Sequence, residues 1–357
     1  MELRLGCGAL KLRFEAEVGN IHSLMLNGRE IFHTAHWVGT PLAAEASSVV
    51  DAHLAGDFLA APFGTSDVVE DPPHGWTANS TWRLMSRAEN DDLARMKLVL
   101  ERPVMGAQIT KEIMLYADQP VLYQRHEITG GSKEEGAGLT FAHHPMLRVS
   151  PGDLIASSPK RAALTSDAPL EAAHILAYPG RSTDVTQFPS RDGGRVDLSH
   201  YPHHTGHEDF VTLVEEDVDG LGWTAVSRAR ERDIVVFVKD SRVMPITMLW
   251  MSNGGRDYAP WDGRHDGVLG VEDGCAAGAE GHRAALGDNA VAREGVRTVL
   301  TLEEGRTHVL CHATVVLEQP EGWQGVEAIS FEDHEMIVAG QNGEILRVPF
   351  ETSHFFI

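Results

Sequence analysis

Alternation of apolar and polar residues with a period of two recurs along the chain and restricts what it can fold into. Leu10, Leu12, Phe14, Ala16 and Val18 are spaced by Lys11, Arg13, Glu15 and Glu17, so an extended segment has one apolar and one charged side. Gly19-Asn20 turns the chain, and Ile21–Leu26 then reaches Asn27-Gly28, a dipeptide suited to the left-handed backbone of a tight hairpin. The pattern returns at Met96–Glu101, Ile109–Tyr116 and Val121–Thr129. Shorter strand candidates are Leu139–His144, Thr212–Val214, Thr224–Ser227, Ile234–Val238, Thr298–Leu302, Val309–Leu317, Glu335–Ala339 and Ile345–Phe350. Only Leu170–Ala177 and His282–Val291 suggest helix. Closely spaced strands, 35 Gly and 17 Pro, with no internal repeat and no linker-like stretch, predict an all-β antiparallel sandwich or barrel in a single domain over residues 1–357. Within it, residues 150–210 are expected to be a loop-rich insertion or lid.

Charge narrows the function. Thirty basic against 52 acidic side chains give a net charge of −22, which opposes binding to nucleic acid and to anionic membrane surfaces. The longest apolar runs, such as Ile234–Val238, are far shorter than the roughly 20 residues of a membrane span. The first residues alternate, without the basic-then-apolar order of a secretion signal. Cys7, Cys275 and Cys311 are odd in number and scattered, which argues against a disulfide framework; the expectation is a cytoplasmic protein. No glycine-rich phosphate loop is present, so no nucleotide cofactor is expected.

Histidine is abundant, 19 in all, and four segments concentrate it with polar or aromatic residues. They are Pro72–Trp76, Phe141–Pro145, Tyr201–His207 and Trp250–Asp273. His143 and His144 are consecutive on a strand candidate, so they face opposite sides and at most one can enter a given cleft.

Four landmarks in order carry a family resemblance. They are Phe63-Gly64 with Pro73-His74-Gly75-Trp76 and Trp82; His144-Pro145-Met146-Leu147-Arg148-Val149; Leu269-Gly270-Val271-Glu272 with Cys275-Ala276; and Thr298–Leu302 before Glu304-Gly305. Over residues 10–317 this resembles the aldose 1-epimerase (galactose mutarotase-like) superfamily. Met146-Leu147 stands where that family has Tyr-Phe, and Asp273 where it has a proline; its mid-chain carboxylate is not placed.

The resemblance implies a large antiparallel β-supersandwich of the galactose mutarotase-like type, needing no cofactor and no metal. Its partner would be a small-molecule carbohydrate, with the chain a monomer or homodimer. It implies His144 as the general acid on the sugar ring oxygen, Glu272 as the base on the anomeric hydroxyl, and His74 as a residue that orients the sugar. Such chemistry needs one group protonated and one ionised at the same pH, which a His/Glu pair supplies. Trp250, Trp261 and Tyr258 suit the C–H faces of a sugar ring, and Asn253 and Arg256, around a glycine turn, suit its hydroxyls. Two other readings stay open: a sugar-binding protein without catalysis on the same scaffold, and a metal-dependent sugar isomerase using His203, His204 and His207 with Glu208 or Asp209.

Overall fold

The computed structural model describes residues 1–131 and 138–356. Its centre is a pair of eight-stranded antiparallel sheets. The front sheet runs Gly180–Ser182, Lys160–Thr165, His207–Glu215, Ile246–Asn253, Val268–Cys275, Phe141–His143 and Leu59–Ala60, with Met146–Arg148 also paired to Val268–Cys275. The back sheet runs Leu154–Ser157, Leu221–Arg228, Asp233–Asp240, Thr307–Glu318, Val121–Gly130, Ala107–Tyr116, Leu93–Leu100 and Trp82–Glu89. A four-stranded sheet from Glu2–Cys7, Leu10–Glu15, Asn20–Leu26 and Arg29–Glu30 adds its apolar side to the same core. Its hairpin turns where expected, with Asn27 and Gly28 both at positive φ.

The period of two decides where each side chain goes. In Val268–Cys275, Leu269, Val271 and Cys275 join the core between the sheets, while Val268 joins an apolar cluster on the outer side of the front sheet. A third cluster lies on the outer side of the back sheet, where Val326–Glu332, Glu335–Gly340 and Ile345–Pro349 form a three-stranded cover. Cys7, Cys275 and Cys311 are buried and free.

Between the two large sheets the packing is partly ionic. Lys239 of the back sheet reaches Glu215 at 2.9 Å and Asp273 at 3.0 Å, both on the front sheet, and Lys160 also pairs with Glu215. Thr247 Oγ1 donates to Asp273 at 2.6 Å, and His312 Nε2 approaches the other Asp273 oxygen at 3.1 Å. Buried charges of this kind persist where each is paired and its remaining valences are filled.

Three expectations differ from the structure. Leu170–Ala177 is not helical, because the Asp209 carboxylate accepts from Ile175 N and Leu176 N, both at 3.0 Å, and holds the segment open. His282–Val291 breaks into His282–Ala285 and Ala290–Arg293, the second capped by Asn289 Oδ1 on Ala292 N at 2.9 Å. Thr298–Leu302 makes only a bridge from Leu300 to Leu139, because Thr298 Oγ1 is tied to Ala285 O at 2.6 Å. Within residues 150–210, Leu154–Ser157 belongs to the back sheet and Lys160–Thr165 to the front. No helix among the described residues is long and apolar enough to cross a membrane.

Candidate active site

A cavity of about 350 Å³ opens on the outer side of the front sheet, within the range of small-molecule sites. Its lining includes His74, His144, Trp250, Arg256, Trp261 and Glu272, which come from four separate segments. Glu272 lies on the Val268–Cys275 strand, opposite Met248 of its neighbour. Gly270, two residues away on the same face, matters by its size: a Cβ there would come 3.0 Å from Glu272 Oε1 and 3.1 Å from Trp250 Cβ. His144 follows the strand Phe141–His143, and its backbone N–H donates to Phe58 O at 2.9 Å and Asp57 Oδ1 at 3.1 Å. Its ring stacks on Phe58 at 4.6 Å and meets the edge of Trp250 at 5.5 Å.

His74 sits at φ 62°, a left-handed conformation held by His74 N to Gly64 O at 2.7 Å and Ala61 N to His74 O at 3.1 Å. The next residue must be glycine-like, since a Cβ on Gly75 would fall 1.8 Å from Ala61 O. The strained turn aims the His74 ring at His144, 5.2 Å away edge-on. Such strain persists only where surrounding bonds over-determine it.

His144 Nε2 and Glu272 Oε1 are 3.1 Å apart, with both side chains almost fully buried. Neither Glu272 oxygen accepts a hydrogen bond of good geometry from the described residues. Burial raises the Glu272 carboxyl well above its ordinary range. Burial, aided by the charge of His74, pushes His144 down to about 3, and burial brings His74 to about 4. Each member of the His144–Glu272 pair thus resists charge, and the two together retain one proton.

Arg256 and Trp261 form the cavity wall, the guanidinium lying 4.3 Å over the indole. Arg256 Nε is 3.3 Å from both Glu171 and Glu208, and Tyr258 donates to Glu171 at 2.7 Å. Segment 170–171 of the expected lid therefore touches the cavity edge, through Leu170 in the lining and Glu171 beside Arg256. Asn253 is placed elsewhere. It follows Trp250 and Ser252 by an odd step on the strand, so its side chain turns from the cavity. Its Oδ1 accepts from Gly267 N at 2.9 Å and its Nδ2 donates to His204 O, joining two turns.

His203, His204 and His207 do not converge on one point. His207 is held by Asp209 at 2.8 Å and Asn253 at 3.3 Å, and among the described residues no grouping of three ligand atoms falls in this loop.

Sequence reasoning treated Glu208 only as a possible metal ligand. It is fully buried behind the wall: Oε1 accepts from Trp250 Nε1 at 2.6 Å and Oε2 from Ser252 Oγ at 3.0 Å. Burial pushes its carboxyl up to about 7, against the opposing charge of Arg256. The strand His207–Glu215 is buried at all nine positions, so its apolar alternation does not separate a cavity side from a core side. The available signal was the unplaced mid-chain carboxylate of the resembled family, together with Phe210 two residues on.

No family model and no curated protein matches the chain. Solved structures do. A candidate aldose 1-epimerase from Escherichia coli K12 is 17% identical and covers 89% of this chain and 99% of its own, with a TM-score of 0.59. A galactose mutarotase related enzyme from Lactobacillus acidophilus is 12% identical, covering 90% and 99%, with a TM-score of 0.57. A galactose mutarotase-like protein from Clostridium acetobutylicum is 12% identical, covering 88% and 95%, with a TM-score of 0.55. The chain has the galactose mutarotase-like fold, an all-β supersandwich.

Proposed function

We propose that the cavity binds an aldose and that the chain interconverts its anomers by acid–base exchange between His144 and Glu272. The observation that supports this most is the pair itself: a buried imidazole and carboxylate 3.1 Å apart, whose carboxylate oxygens have no good hydrogen bond among the described residues. The ring oxygen and the anomeric hydroxyl of an aldose are borne by one carbon, so an acid and a base in contact with each other can serve both. The single proton of the pair first passes from Glu272 to His144; His144 then gives it to the ring oxygen while Glu272, now ionised, takes the anomeric proton. The C1–ring oxygen bond breaks, the aldehyde forms, and rotation about C1–C2 before reclosure gives the other anomer. Both groups end as they began after the reverse transfers. His74 orients the sugar, and Trp250 and Trp261 take its apolar face. Each positioned proton transfer contributes roughly 10²–10⁴-fold in rate.

The test is polarimetry or NMR on fresh α-anomers of hexoses, pentoses and their phosphates, with spontaneous mutarotation subtracted. Acceleration of at least one aldose is the expected result. If none is accelerated yet one raises the melting temperature, the cavity is a sugar-binding site without turnover and the catalytic reading falls.

A further inference from the structure

A hexose in its ring form carries four hydroxyls besides the anomeric one. Inside a cavity each needs a polar partner, because a hydroxyl buried without one loses its hydration and gains nothing in return. The cavity is sparing with such partners. Besides His144 and Glu272, its polar side chains are Asp51, Thr65, His74 and Arg256. Thr65 is exposed at the rim. Asp51 Oδ2 already accepts from Ser47 Oγ at 3.0 Å and Ser48 Oγ at 2.8 Å, which leaves Oδ1. His74 Nδ1 is buried with no hydrogen-bond partner among the described residues. Arg256 lies against Trp261 with its Nε 3.3 Å from Glu171 and Glu208. Inside the rim, then, Asp51, His74 and Arg256 remain for the hydroxyls that do not react.

The apolar lining, by contrast, exceeds what one stacked sugar face occupies. Trp250 and Trp261 account for that face. Val50, Leu54, Phe63 and Phe210 line the cavity as well, and all four are buried. Phe63 and Phe210 form one surface, their rings 6.4 Å apart, and it stands back from the reacting pair. The Phe63 ring is 5.6 Å from His74, which in turn separates it from His144 at 5.2 Å. Phe210 is opposite Trp250 and Trp250 opposite Gly270, so Phe210 lies two strands from the strand of Glu272, about 10 Å away. This surface therefore meets a part of the sugar other than C1. A hydroxyl turned toward it would have no partner, whereas a methyl group would bury apolar area.

Resting on the anomer interconversion proposed above, we propose that the aldose is a 6-deoxyhexose. Its C6 methyl is the apolar group that projects from the ring far enough to reach a wall, and it lies against Phe63 and Phe210. Its hydroxyls at C2, C3 and C4 are three, and Asp51, His74 and Arg256 serve them. The chemistry at C1 is unchanged, because C6 takes no part in ring opening.

The test uses the full chain and sugar pairs that differ only at O6: D-galactose and D-fucose, L-galactose and L-fucose, L-mannose and L-rhamnose. Anomer exchange by NMR gives kcat/KM, and calorimetry gives Kd. In at least one pair the 6-deoxy sugar is expected to exceed its parent by about 10- to 100-fold, the reach of an apolar pocket against an added hydroxyl. The matching pentose, which lacks C6 altogether, should fall below the 6-deoxy sugar because the methyl contact is gone. Phe63→Ala and Phe210→Ala should each shrink the preference by about threefold or more. Parents converted as fast as their 6-deoxy partners, or faster, overturn the proposal and leave anomer interconversion standing. Tighter binding of the 6-deoxy sugars without any acceleration supports the ligand class and overturns the catalysis. Absence of both binding and acceleration overturns both. A preference unchanged in both variants overturns the placement of the methyl, and where the variants do not fold the wild-type ratios decide.

Discussion

Glu272 and Asp273 are consecutive, each 1% exposed, and they point to opposite sides of one strand. Asp273 meets Lys239, Thr247 and His312 in the inter-sheet layer, and against the upward push of burial these partners hold its carboxyl well below the ordinary range. Among the described residues Glu272 has His144 as its ion-pair partner, off-line, and burial raises it. His143 and His144 repeat the contrast: His143 is packed against Asp57 and His312, whereas His144 faces the cavity. Equal burial therefore gives tightly bonded groups on one side and cavity-facing groups on the other, and the difference lies in how fully each is partnered.

The sharpest test of this contrast changes one neighbour at a time. Glu272→Gln retains size but removes the base, so kcat for mutarotation should fall by roughly 10²–10⁴-fold while sugar binding survives, measured by polarimetry and calorimetry. Its melting temperature should hold or rise, because a buried unpaired carboxylate is lost. Asp273→Asn should do the reverse in stability, costing about 3–5 kcal/mol in urea unfolding by removing one of the two carboxylates paired with Lys239 and the charge opposite His312. Equal stability losses for the two variants would abolish the distinction.

Glu208 tests a case between the two, being buried and bonded yet raised to about 7. A carboxyl raised on folding contributes stability that is full below the unfolded value near 4.5 and lost as pH rises through 7. Relative to Glu208→Gln, the wild type should therefore lose on the order of 3 kcal/mol between pH 4.5 and 8, followed by urea titration at several pH values. A pH-independent difference would place Glu208 with Asp273. The smallest effect is expected from Asn253→Ala: about 1–3 kcal/mol of stability from two turns left unjoined, with KM unchanged in the same assay.

Much of this was legible in the residues. Alternation assigned opposite sides to His143 and His144, and the spacing of His74, His144 and Glu272 resembled a known family in which all three serve one site. Asn253 misled because turn glycines and an amide also describe a sugar ligand, and only the parity of the strand from Trp250 turns it away. The partners of Asp57 and Asp273 were not readable, since Lys239, His312 and Gln124 come from distant strands that only sheet pairing brings together. Glu208 was hidden for a related reason: its strand is buried on both sides, so no polar face marks the acid out.

The cover formed by Val326–Pro349 lies later in the chain than every back-sheet strand it protects. Until it is made, Trp223, Val236, Val238, Ala313 and Val315 have no Trp323, Met336 or Phe350 against them. During synthesis the back sheet can therefore pair its strands while a broad apolar flank is still bare. That interval is when a nascent chain is open to chaperones, or to capture by its own neighbours. Slow codons or truncation between Glu318 and Val326 would lengthen it, with aggregation in the cell as the outcome and the front-sheet cavity playing no part.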